Sequence, residues 1–191
     1  MKTKNIAIFA SGEGTNAQNI IDYFKTSDTI NIALIVSNKS AANVLNRAKQ
    51  ANIPTLLINR TDFYENDSTI NHLKSLNIDF IVLAGFLWMI PERLIKAYPN
   101  RIINIHPALL PKFGGKGMYG MKVHQAVVEA KEKESGISIH YVNEHYDEGK
   151  IISQHRCTIS ENETAETLAS KIHNLEYEFF PKVIEQVLLT A

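Results

Sequence analysis

Five short apolar runs, at residues 5–10, 30–37, 54–58, 79–86 and 101–106, alternate with four stretches (15–25, 40–51, 67–76 and 91–98) whose apolar residues recur every three or four positions. The runs are rich in Ile, Val and Leu, the mark of strands buried on both faces, and the stretches between them read as one-sided helices. Strand, helix, strand repeated four times leaves few folds open. Crossover helices must join parallel strands and cover both faces of one sheet. After residue 112 the pattern changes: a helix over 120–134 is followed by strands at 135–142 and 150–159, joined by only residues 143–149. That connection is too short for a helical crossover, so one antiparallel pairing is expected near the carboxyl end. A long helix over 164–189, kinked or stepped near Pro181, finishes the chain.

Composition narrows the function classes. A chain of 191 residues, 45% hydrophobic, fits a single α/β domain spanning 1–191. Lys plus Arg equal Asp plus Glu at 20 each, so no positive field draws nucleic acid or an anionic membrane, and small-molecule partners are expected. The single cysteine, Cys157, forms no intrachain disulfide, and no apolar run is long enough to span a bilayer, which points to the cytoplasm.

Three places carry candidate chemistry. In "ASGEGTNA" (10–17), Gly12 and Gly14 let the backbone approach a ligand, and the free N–H groups of Thr15 and Asn16 at a helix start favour an anion. The dinucleotide fingerprint also demands an acid at the end of the second strand, where this chain has Ser37, Asn38 and Lys39. A small phosphate ligand or a purely structural turn remain as readings. In "RIINIHP", alternation puts Asn104 and His106 on one face at the carboxyl end of strand five. They are either a satisfied core pair, or a donor and a proton carrier for attack on a carbonyl. Asp147 lies in the 143–149 turn, either as a turn residue or as the carboxylate that raises the pKa of His106, with Glu148 in competition. Metal-binding spacings are absent, so no metal is expected; Cys157 reads as an inert thiol, and Ser11 and Ser138 lack a nucleophile elbow.

Taken in order, "SGEGTN", "LAGF", "NIHPALLPKF" and "DEG" resemble the glycinamide ribonucleotide formyltransferases of purine biosynthesis, over residues 4 to 188. The resemblance implies a three-layer α/β/α fold, with a mixed seven-stranded sheet that is parallel in its amino-terminal half and has one antiparallel strand. It implies formyl transfer from 10-formyltetrahydrofolate, as co-substrate, to the amine of glycinamide ribonucleotide. By the same resemblance Asn104, His106 and Asp147 are catalytic; Gly12, Gly14, Thr15 and Asn16 hold the ribonucleotide phosphate; and His173 and Glu176 meet its glycinamide side. Leu87, Trp88, Met89 and Ile90, with Asn143, Glu144, His145, Tyr146 and Asp147 and the Asn104 amide, line the folate pocket; Ser138 and His140 support the site.

Two positions depart from that pattern. An arginine expected near residues 62–67 for the folate's glutamate tail is missing, with Arg60 the nearest substitute, and Trp88 stands where arginine is common. The glycine-rich "GGKGMYG" is either a substrate-covering loop or a plain surface loop. Relatives that hydrolyse the folate or formylate initiator tRNA are expected to carry an added amino- or carboxyl-terminal domain, and neither is expected here from residues 1–191. A monomer or homodimer is expected.

Overall fold

The computed structural model describes residues 3–190. β1 (Lys4–Phe9), α1 (Thr15–Phe24), β2 (Ile30–Ser37), α2 (Val44–Gln50), β3 (Thr55–Leu57), α3 (Ser68–Ser75), β4 (Phe80–Leu83), α4 (Glu92–Ala97) and β5 (Ile102–His106) follow the expected alternation. A π-helical turn at Thr61–Glu65, which the sequence patterns did not reveal, precedes α3. Then come α5 (Met121–Glu129), β6 (Glu134–Tyr141), β7 (Ile151–Thr158) and α6 (Ala165–Thr190). All seven strands share one sheet in the order β3-β2-β1-β4-β5-β6-β7. β6 is the one reversed strand, antiparallel to both β5 and β7, while the pairs among β1 to β5 are parallel.

Alternation along β1 shows why the central strands carry almost no polar residues. Ile6 and Ile8 enter the core beneath α1, α2, α5 and α6, whereas Ala7 and Phe9 enter the opposite core beneath α3 and α4. All four are fully buried, and each large side chain so buried contributes roughly 1.5–3 kcal/mol. Among the described residues no helix is long and apolar enough to cross a membrane.

Three boundaries differ from expectation for local reasons. α2 starts at Val44 rather than residue 40, because the preceding residues form a turn closed by the Ala42 N–H on the Lys39 carbonyl. α5 stops at Glu129, well short of residue 134, since Lys131 turns into the left-handed region at φ 52° and Glu134 already pairs with Thr158. α6 continues unbroken through Pro181. Proline removes the hydrogen bond to the carbonyl four residues back, and that carbonyl, of Tyr177, accepts instead from Asn19 Nδ2 of α1 at 2.9 Å.

The strand order reverses direction between β1, which neighbours β2, and β4, which continues toward β5. A crevice must open at the carboxyl ends of strands at such a point.

Candidate active site

The crevice is a cleft of about 710 Å³ along the carboxyl ends of β1, β4 and β5. Ser11 ties its floor together. Its hydroxyl donates to Asn38 Oδ1 at 2.7 Å and accepts from the Leu87 N–H at 2.9 Å, so the loops after β1, β2 and β4 are fixed to one another by a buried serine. Of the site residues expected from the sequence, all line this cleft except Glu144, which is exposed, and Ser138, which is wholly buried beneath it.

Asn104 and His106 leave β5 on the same face, as strand alternation requires. Asp147, held at φ 57°, turns its carboxylate inward to meet them, while Glu148 stays exposed. Asp147 Oδ2 accepts from the Gly115 N–H at 2.9 Å and lies 3.5 Å from His106 Nδ1. Oδ1 lies 3.4 Å from Asn104 Nδ2 and 3.5 Å from His140 Nε2.

Two backbone carbonyls set the imidazole tautomers, because a carbonyl can only accept. His106 Nε2–H donates to Phe113 O at 2.7 Å, leaving Nδ1 as the basic atom facing Asp147. His140 Nδ1–H donates to Tyr141 O at 2.9 Å, leaving Nε2 to accept from Asn104 Nδ2 at 3.1 Å. That shorter bond orients the Asn104 amide. The other amide hydrogen, in the longer contact with Asp147, is the one left to serve a developing oxyanion.

The electrostatics correct one expectation. Asp147 does pull the His106 pKa upward, but burial outweighs it, and the imidazole titrates below its ordinary value. His106 therefore rests neutral at pH 7. For Asp147 burial pushes upward, yet the His140 imidazole beside it, the nearby His106 and the Gly115 N–H together hold the carboxyl below the usual carboxylate range.

Ser138 supports the site from below. Its hydroxyl donates to Ala108 O at 2.7 Å and accepts from the Leu110 N–H at 2.9 Å and from Gln154 Nε2 at 2.8 Å, pinning the turn that follows His106. Gln154 also donates to Leu110 O at 3.0 Å. Ser138→Ala strands these buried partners, and a loss of about 1–3 kcal/mol in urea-unfolding stability is expected; a midpoint unchanged from the parent protein would show that the turn holds itself.

At the other end of the cleft, Gly14 takes φ 71° immediately before α1, and no carboxylate occupies the first turn of that helix. Asn16 Nδ2 donates to Glu176 Oε2 at 2.9 Å. Burial raises the Glu176 pKa, against the opposing pull of Asn16 and of His173. On the expected folate side, the Arg60 guanidinium lies 5.3 Å from the Trp88 ring centroid and 5.9 Å from that of Tyr64, whose hydroxyl donates to Met89 O at 3.0 Å. Among the described residues no group of three or more His, Cys, Asp or Glu side chains is placed to hold a metal ion.

A family model described as formyl transferase matches residues 4–184. The chain belongs to the formyl transferase family. Its relatives include the chloroplastic phosphoribosylglycinamide formyltransferase of Vigna unguiculata, 38% identical over 97% of this chain and 61% of that protein. The phosphoribosylglycinamide formyltransferase of Bacillus subtilis (strain 168) is also 38% identical, over 97% of this chain and 95% of its own length. The chain thus spans less than two thirds of the plant relatives it matches, at 61% and 65% of their lengths, but nearly all of the Bacillus one. Among solved structures, glycinamide ribonucleotide transformylase 1 of Geobacillus kaustophilus aligns with TM-score 0.88 and 36% identity, covering 97% of this chain and 99% of that one.

This formyl transferase cleft also holds residues that sequence patterns did not select, among them Lys39, Lys116, Tyr119 and His124. Lys116 and Tyr119 belong to the glycine-rich segment, which is a wall of the cleft: its Gly115 N–H and the Phe113 carbonyl just before it bond Asp147 and His106 directly. His124 carried a sequence signal, since helical spacing puts it one turn from Val127 on the buried side of α5. Its pKa is lowered to about 4, by burial first and then by the charges of His173 and His106. Between the ordinary value of 6.5 and about 4, the unfolded chain binds a proton at this residue that the folded protein refuses, so stability falls as pH falls through that window. Thermal unfolding followed across those pH values is expected to show the decline, and His124→Phe to make it shallower; an identical slope in the variant would contradict the assignment.

Proposed function

We propose that this protein transfers the formyl group of 10-formyltetrahydrofolate to the amine of glycinamide ribonucleotide, yielding the formylated product and tetrahydrofolate in purine biosynthesis. The observation that carries the reading is the convergence of Asn104, His106 and Asp147 in one cleft that the Gly12–Asn16 loop and the Leu87–Ile90 segment also line. The family membership and the names of the full-length Bacillus and Geobacillus relatives support it.

In this reading the Gly14 turn and the free N–H groups at the start of α1 receive the phosphate. His173 and Glu176, the latter held by Asn16 Nδ2, meet the glycinamide side. The flat pterin lies against Leu87 to Ile90 and the 143–147 loop, whose backbone groups read its polar edges. The substrate amine attacks the formyl carbon, and the oxygen of the tetrahedral adduct takes a hydrogen bond from Asn104 Nδ2. Neutral His106 accepts the amine proton at Nδ1, directly or through one water, and the resulting imidazolium is stabilised by Asp147. Returning a proton to the departing folate nitrogen collapses the adduct, so the enzyme ends each cycle in its starting state. Arg60, placed on Trp88 and Tyr64, stands closest to the role of the missing tail arginine.

The chain acts as a single formyltransferase domain, a monomer or homodimer in the cytoplasm, without nucleic acid or membrane. The test is direct: purified protein given both substrates releases tetrahydrofolate. No release at micromolar enzyme removes the reading, and release without the amine substrate replaces it with hydrolysis.

A further inference from the structure

Six buried side-chain polar atoms lack a hydrogen-bond partner among the described residues, and two of them, Asn16 Oδ1 and His124 Nδ1, belong to residues lining the cleft. The other four, on Tyr98, Ser135, Ser153 and His155, belong to residues that do not line it. His124 is the more demanding case. It is only 3% exposed, and neither ring nitrogen is hydrogen-bonded among the described residues. An enclosed imidazole without partners is costly to keep unless something else completes it.

The ring's protonation can be argued atom by atom. Nδ1 is sealed in protein with no acceptor in reach, and a buried lone pair left unmade is better tolerated than a buried N–H left unmade. The proton therefore rests on Nε2, which unlike Nδ1 is not among the sealed, unpartnered atoms, on a residue that lines the cleft. The depressed pKa keeps this ring neutral at pH 7. A neutral N–H donor suits an uncharged acceptor; a phosphate would call for a cation. His124 lines the same cleft as His106 and His173, and α5, which carries it, packs against α6. The substrate portion that must lie there is the glycinamide, and its uncharged acceptor is the amide carbonyl.

We propose that His124 is a further ribonucleotide-binding residue, donating from Nε2 to the amide carbonyl oxygen of the glycinamide and so distinguishing that substrate from ribose phosphates without it. The inference rests on the formyltransferase reading above. Because the contact is made equally before and in the transition state, it governs KM rather than kcat.

The experiment compares the full-length protein with His124→Phe, which keeps a ring of similar size, and His124→Gln, whose amide offers an N–H at about the same reach. Titration calorimetry with glycinamide ribonucleotide, and separately with ribose 5-phosphate, is run beside steady-state kinetics and thermal unfolding. His124→Phe is expected to weaken glycinamide ribonucleotide binding and raise its KM by about 10- to 100-fold, with kcat and the folate KM nearly unchanged. Ribose 5-phosphate affinity is expected to stay at the parent value, and His124→Gln to recover most of the loss. Parent-like affinity for glycinamide ribonucleotide in the Phe variant overturns the inference, as does equal weakening toward ribose 5-phosphate. If His124→Phe does not fold, His124→Gln decides: retained discrimination between the two ligands supports the inference, and lost discrimination overturns it. Parent protein that turns over no substrate removes the formyltransferase reading itself, a result separate from any difference between variants.

Discussion

His106→Ala is expected to lower kcat by about 10²- to 10⁴-fold while leaving ribonucleotide binding nearly intact. The size follows from what the imidazole does. Its Nε2–H is committed to the Phe113 carbonyl at 2.7 Å, so Nδ1 is the only ring atom able to take the amine proton, and Asp147 waits 3.5 Å away for the charge that results. Alanine removes the base and leaves Asp147 without that cation. The ribonucleotide's expected contacts lie elsewhere, on the loop before α1 and on α6, which is why affinity is spared. The pH profile gives a second readout: burial holds the His106 pKa below the ordinary histidine value, so the acidic limb of kcat/KM is expected below pH 6.5 and absent from whatever activity the variant retains. A variant retaining more than a tenth of the parent kcat would contradict a role for His106 in proton transfer.

Gly149→Ala is expected to damage stability and activity together. An added Cβ would fall 1.7 Å from the Tyr141 carbonyl oxygen and 2.7 Å from its carbon, distances no backbone pair can absorb without moving. The Tyr141 carbonyl accepts from His140 Nδ1, and the Tyr141 N–H donates to Lys150 O, so the clash falls where β6 meets the end of the 143–149 loop. A loss of about 1–3 kcal/mol in unfolding free energy is expected from overpacking. Asp147 sits only two residues away in the left-handed region, and a displaced loop carries its carboxylate off His106 and Asn104. Urea unfolding and kcat measured on the same preparation test both parts; a parent-like midpoint with parent-like turnover would show that the loop yields without cost.

How far the sequence could be read depended on the range of the forces involved. The parallel half of the sheet was plain because β1, β2, β4 and β5 are largely buried on both faces and so are rich in Ile, Val, Leu and Phe. The antiparallel pairing of β6 with β7 was plain because seven residues cannot make a crossover, whereas the second antiparallel pairing, of β6 with β5, left no such local mark. Helix ends were less legible: the stop of α5 at Glu129 depends on where β6 begins to pair with β7, and the passage of α6 through Pro181 depends on Asn19, 158 residues from the carbonyl it satisfies. The π-helical turn at Thr61–Glu65 left no periodic trace, being a single turn held by its surroundings.

The same division runs through the site. Strand alternation alone placed Asn104 and His106 on one face at a strand end, since side-chain direction along a strand is a local property of the backbone. Their protonation and partners were not local. Whether His106 is charged depends on burial by loops distant in sequence, and the tautomers depend on the Phe113 and Tyr141 carbonyls, which pattern cannot aim. The inward turn of Asp147, the Ser138 and Gln154 brace, and the unpartnered ring of His124 arise only when β5, β6, α5 and the glycine-rich segment close on one cleft. The amino-acid sequence by itself determined the layers, the antiparallel last pair and the face on which the chemistry lies, because those follow from periodicity and the lengths of the connections. Which atoms carry the protons was decided by the tertiary structure, because pKa and hydrogen bonding answer to neighbours in space.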